Sequence, residues 1–168
     1  RFTSVLYDRR GRGESGNTEA YAVNREIEDI QALIDALGGT AMLFGMSSGA
    51  VLALEAAASL PRQVTRVICY EPPINSAQSK DEALADLARM EAFKAHGDGA
   101  GAMEDFMLSV GTPPEHVQGF KQSPQWEAYA AVGTTIAHDF RILAEATKTD
   151  MKARWRGIAQ PVLVVNGD

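Results

Sequence analysis

The run Leu43-Phe44-Gly45-Met46-Ser47-Ser48-Gly49-Ala50-Val51 constrains the fold more than any other stretch of the chain. It sets Gly-x-Ser-x-Gly between Thr40–Phe44, an apolar run that suits a buried strand, and Ser48–Ser59, an alanine-rich run that suits a helix stopped by Pro61. A serine at the apex of so tight a strand–turn–helix sits in strained backbone, where side chains two residues to either side collide. Glycine at 45 and 49 removes those side chains. Ser47 then projects above the C-terminal edge of a sheet. The backbone N–H of Ser48, at the helix N-terminus, faces the oxyanion that forms during acyl transfer. With 15 glycines in 168 residues the bare pattern arises by chance only about 0.1 times in such a chain. A glycine-rich turn with an incidental serine is the reading it displaces.

The rest of the chain supplies the strands and helices that such a turn needs. Ser4–Tyr7 reads as a first strand, and the Gly- and Arg-rich run Asp8–Thr18 as a loop. Glu19–Leu37 is expected to be a helix, with Ile27, Ile30, Ile34 and Leu37 on one face and Glu26, Glu28 and Asp29 outside. Gly38-Gly39 ends it. Val64–Tyr70 is a further strand, and Pro161–Val165 another. Apolar strands joined by helices predict an α/β fold with a parallel sheet. Residues 72–156 break the rhythm. Leu84, Leu87, Met90 and Phe93, then Met103, Phe106 and Met107, then Tyr129, Val132 and Ile136, predict amphipathic helices without a strand between them. The expected organisation is a sheet-bearing core over 1–71, a helical insertion over 72–156 placed above one end of the sheet, and a returning core strand over 157–168.

Charge and composition narrow the partners. Sixteen basic against 22 acidic residues give a net charge of −6, which argues against nucleic acid or an anionic membrane as partner. One cysteine cannot form an internal disulfide, and no apolar run approaches the roughly 18 residues of a transmembrane helix. A cytoplasmic protein acting on a small molecule is the expectation. Neither His-x-x-x-His nor Cys-x-x-Cys occurs, so no metal or cofactor is expected. Gly11-Arg12-Gly13-Glu14-Ser15-Gly16 matches a dinucleotide fingerprint, but the next strand ends at Phe44-Gly45 without the carboxylate such a site requires. Arg9, Arg10 and Arg12 read as local hydrogen-bond donors, and Cys69 as a packed core thiol.

Together these segments resemble the α/β-hydrolase fold superfamily. Asp8-Arg9-Arg10-Gly11-Arg12-Gly13-Glu14-Ser15 is similar to its Asp-x-Arg-Gly-x-Gly-x-Ser loop, which shapes the backbone rather than doing chemistry. Ile158–Asp168 is similar to the segment leading to the catalytic acid, and 72–156 to the family's cap. The resemblance implies Ser47 as nucleophile and the Ser48 N–H as oxyanion donor. It places the acid and histidine beyond residue 168, with Asp168 beside the acid rather than the acid itself, and the other oxyanion amide before Arg1. The chain therefore reads as a piece lacking both ends, inactive by itself, and prone to aggregate or stay partly molten through its open sheet edges.

Glu71, after the strand Val64–Tyr70, is a reserve acid, because some members carry their acid there; the competing reading is a loop residue capping local amides or pairing with an arginine. His96, His116 and His138 suit surface or capping roles, and His138, beside Asp139, is the one expected to face a pocket. Met46 and His138 are the candidate substrate contacts. The implied activity is hydrolysis of an ester, lactone or similar small acyl substrate. Serine at the elbow disfavours epoxide hydrolases and haloalkane dehalogenases, and leaves carbon–carbon bond hydrolases and cofactor-free haloperoxidases open. The alternative is a non-catalytic small-molecule-binding or interaction module on the same fold.

Overall fold

The computed structural model describes residues 2–17, 20–74 and 79–167. Among them the elements run α1 (Val23–Ala36), β1 (Ala41–Met46), α2 (Ser48–Ser59), β2 (Val64–Tyr70), α3 (Lys80–Ala95), α4 (Gly99–Ser109), α5 (Pro114–Lys121), α6 (Trp126–Gly133), α7 (Ile136–Ala146), α8 (Met151–Trp155) and β3 (Val162–Val165). The chain divides into two units. One comprises residues 1–21 with 88–137, the other 22–87 with 138–168.

The second unit carries the sheet. Its strands stand in the order β1-β2-β3, both pairs parallel, with Gly45 opposite Cys69 and Cys69 opposite Val164. The expected parallel α/β sheet is therefore present. α2 touches both β1 and β2, and α1 and α8 as well. Being sheathed on all sides, it is apolar all round, with Ala50, Ala56 and Ala57 fully buried. Alanine at those positions lets the helix axis approach the strands closely. α1 buries Val23, Ile27, Ile30 and Ile34 in the same core as Val64, Val67 and Cys69. Each such side chain contributes about 1.5–3 kcal/mol of apolar burial. A smaller cluster of Ala83, Leu87 and Ala144, with Phe140 against it, joins α3 to α7.

The other unit is built on helix contacts. α4 and α6 cross at two glycines: a Cβ on Gly133 would lie 2.8 Å from the Gly99 Cα, so both backbones need the bare residue. Asp98 caps α4 by accepting the Gly101 N–H at 2.8 Å. Phe120 meets Trp126 and Tyr129 edge-on, at centroid distances of 5.8 and 5.0 Å.

Several expectations are corrected. Ser4–Tyr7 is not a strand, and Val5, Leu6 and Tyr7 are exposed. Extended backbone becomes a strand only when a neighbouring ladder takes up its N–H and C=O groups, and among the described residues the three strands pair only with one another. α1 begins at Val23, because Ala20 has a φ of 59° and Ala22 is extended; Glu19 lies outside the described residues. Leu37 is 55% exposed at the helix C-cap, off the buried face. Glu26 is buried, while Glu28 is exposed as expected. At about 100° per residue Glu26 lies roughly 40° beyond Ile30, on the flank of the buried stripe rather than opposite it, and the first-turn position favours a carboxylate. β1 runs on through Met46, directly into the turn. Residues 72–156 form helices without a strand among the described residues, but Tyr129 and Val132 belong to α6 and Ile136 to α7. No helix is long and apolar enough to cross a membrane among the described residues.

Candidate active site

β1 delivers Ser47 to the N-cap of α2 with φ 53° and ψ −125°. A non-glycine residue there costs about 1–3 kcal/mol and persists only where its surroundings enforce it. They do so from both sides. The Ser47 N–H donates to the Tyr70 carbonyl at 3.0 Å, and the Ser47 carbonyl accepts the Ala50 N–H at 2.9 Å. Gly45 permits the turn: a Cβ on it would collide with the Gly49 carbonyl and come within 2.7 Å of the Ala50 Cα. Gly49 plays the other half of that contact with its backbone alone, for a Cβ on it would meet nothing within 4 Å. The expectation that both glycines remove clashing side chains thus holds only for Gly45.

Ser47 is exposed, and Ser48 opens α2, so its N–H belongs to the first-turn donors that have no partner within the helix. An exposed hydroxyl beside an outward N–H at a helix N-terminus is the geometry for attack on a carbonyl and capture of the oxyanion. The Ser48 hydroxyl turns elsewhere and donates to Asp139 Oδ1 of α7 at 2.8 Å. Sequence spacing could not reveal that bond across 91 residues.

Glu71 follows the Tyr70 carbonyl that holds Ser47. Its φ is 45°, its N–H donates to the Val165 carbonyl at 2.8 Å, and its Oε1 accepts the Gly167 N–H at 3.2 Å. Met46, the last residue of β1, is 61% exposed. His96 is exposed, with Nδ1 2.7 Å from the Ala92 carbonyl near the end of α3, and His116 is exposed on α5. His138 is buried in α7, so a surface role does not apply to it. Asp168 lies outside the described residues.

The Asp8 loop folds around its own acid. The carboxylate accepts the Glu14 N–H at 3.3 Å, the Ser15 hydroxyl donates to the Asp8 carbonyl at 2.7 Å, and Gly13 turns at φ 53° where a Cβ would strike that carboxylate. Among its described residues no helix opens in this loop, which a dinucleotide site would need. Arg12 reaches beyond its own loop. It reaches Thr135 at the other end of its unit, with Nε 2.8 Å from Oγ1 and Nη2 3.1 Å from the carbonyl. Cys69 is the expected core thiol, its Sγ turned toward the Ala50 carbonyl, and burial pushes its pKa up. Among the described residues no three His, Cys, Asp or Glu side chains gather as metal ligands.

One buried polar cluster escaped the sequence reading. Glu55 of α2 accepts both Arg154 Nε and Nη2, at 2.5 and 2.8 Å, and the Trp155 indole N–H at 2.8 Å. The paired carboxylate also raises the Arg154 pKa. A lone glutamate inside an otherwise apolar helix was the available signal.

A parallel sheet whose strand ends in a strained serine turn, opening a buried helix, is the arrangement of the alpha/beta hydrolase fold. The chain belongs to the alpha/beta hydrolase family, whose pattern matches residues 1–168. It is similar to an alpha/beta hydrolase from Sphaerobacter thermophilus DSM 20745, 42% identical with a TM-score of 0.79, over 96% of this chain and 62% of that one. The fold is also that of MGS-M2, an alpha/beta hydrolase from a Medee basin deep-sea metagenome library, with 20% identity, a TM-score of 0.60, and coverage of 90% and 56%. The uncharacterized hydrolase YraK of Bacillus subtilis (strain 168) is 32% identical over 98 residues, which is 52% of this chain and 36% of that protein. The chain thus spans less than two thirds of the length of each of these relatives.

Proposed function

We propose that residues 1–168 carry the nucleophile of a serine hydrolase acting on an ester, lactone or similar small acyl substrate. The strained, exposed Ser47 at the N-terminus of α2 is the observation that supports this reading most. In the proposed reaction Ser47 Oγ adds to the substrate carbonyl carbon as its proton passes to a histidine. The Ser48 N–H binds the resulting oxyanion, and collapse expels the alcohol, protonated by the same histidine. Water then adds to the acyl-serine and releases the acid. The histidine and the acid that orients it are proposed to come from chain following residue 168. Met46 and His138 are proposed to contact substrate, 72–156 to act as a cap, and the site of action to be cytoplasmic.

Labelling of the natural protein with a fluorophosphonate tests the proposal. Ser47 should carry the label, and Ser47→Ala should abolish both labelling and ester turnover with folding intact. Turnover that survives Ser47→Ala would sink the assignment. A folded natural protein that binds small acyl compounds but never labels would point to the non-catalytic binding module instead.

A further inference from the structure

We propose that Glu71 is a positioning residue, not a triad acid: it fastens the loop leaving β3 to the nucleophile elbow. Two consecutive residues at the end of β2 join three chain segments. The Tyr70 carbonyl takes the Ser47 N–H at 3.0 Å, the Glu71 N–H goes to the Val165 carbonyl at 2.8 Å, and Glu71 Oε1 takes the Gly167 N–H at 3.2 Å. The approach is close: a Cβ on Gly167 would fall 2.5 Å from Glu71 Oε1, so a larger residue there would make the carboxylate shift. The left-handed backbone of Glu71, with φ 45°, is the kind of strain that survives only where both ends of the residue are held.

The functional consequence rests on the proposed serine-hydrolase reading, in which the loop after β3 leads to the acid. Shifting a reacting constellation by about 1 Å can cost roughly 100-fold in rate. Fastening that loop to the strand end that also holds Ser47 fixes the acid's approach relative to the nucleophile. The carboxylate acts here through a backbone amide, so a neutral side-chain oxygen serves as well.

The test uses the natural protein with Glu71→Ala, Glu71→Gln and Gly167→Ala. Glu71→Ala should lower kcat by about 10–100-fold with KM changed less than threefold. Glu71→Gln, which keeps an acceptor oxygen, should return kcat to within about threefold of the wild type, with the acidic limb of its pH profile unmoved. Gly167→Ala should reproduce the Glu71→Ala loss, and the two together should cost little more than either alone. A fall of about 10⁴-fold in Glu71→Gln would make Glu71 the triad acid and overturn the proposal. Wild-type kcat in Glu71→Ala would overturn it equally. Amide exchange across 165–167 gives a readout independent of turnover: it should quicken in Glu71→Ala and not in Glu71→Gln, and unchanged exchange in Glu71→Ala would overturn the clamp. If the wild type never labels at Ser47, the hydrolase reading fails while exchange still judges the clamp.

Discussion

The two faces of the sheet are built from the same strands and stand in different surroundings. Toward α2, Gly45, Val67 and Cys69 are buried. On the opposite face Phe44 is 68% exposed, Met46 61% and Leu163 57%, and Ile68 and Tyr70 are exposed as well. The open face is as apolar as the closed one. Strands of this composition belong to parallel sheets covered on both sides, so the residues alone read as buried throughout. The difference teaches that composition records what a face suits, and that only a packed neighbour decides whether burial contributes to stability.

Substitutions that separate the two faces should rank accordingly. Ile30→Ala, in the core that backs the covered face, should destabilise by about 2–5 kcal/mol in urea unfolding. Glu55→Ala should cost about 2–3 kcal/mol, because it strands the Arg154 guanidinium and the Trp155 indole N–H against α2. Asp139→Ala, which leaves the Ser48 hydroxyl without its acceptor, should cost about 1 kcal/mol. On the open face, Phe44→Thr should shift stability by no more than about 0.5 kcal/mol while reducing dye binding and aggregation. Equal destabilisation by Ile30→Ala and Phe44→Thr would erase the distinction. Cys69 sharpens it through pH. Burial raises the thiol's pKa in the folded state, so the unfolded chain gives up that proton first. Stability contributed by the neutral thiol is therefore present below the ordinary thiol pKa and lost as pH rises toward the raised folded one, a loss that Cys69→Ala should remove from the alkaline limb of a stability profile.

The elbow was legible because most of what marks it lies within a few residues, although the Tyr70 carbonyl that holds Ser47 does not. Gly45, Ser47 and the helix that follows are fixed by local sterics, and Pro61 and Gly38-Gly39 punctuate their neighbours. Ser4–Tyr7 failed for the opposite reason, since a strand is defined by a partner that its own residues do not specify. Charge alone sets Glu26 outside; the helical wheel sets it on the flank of the buried stripe, next to Ile30. The bonds from Glu55 to Arg154, from Ser48 to Asp139 and from Glu71 to Gly167 span 99, 91 and 96 residues, and no spacing rule reaches that far. What the sequence showed of the site was the Ser47 turn, and what it concealed was the network around it.

The chain has two tryptophans, and the fold deals one to each unit. Trp126 sits edge-on to Phe120 with the Lys121 ammonium 5.9 Å from its ring centroid, while the Trp155 indole is bonded to the Glu55 carboxylate. The molecule therefore carries its own pair of optical reporters. With Trp126→Phe, the remaining emission follows the docking of α8 on α2; with Trp155→Phe, it follows the helical unit alone. Unfolding of the two units can thus be followed separately, one variant for each, without attaching a dye.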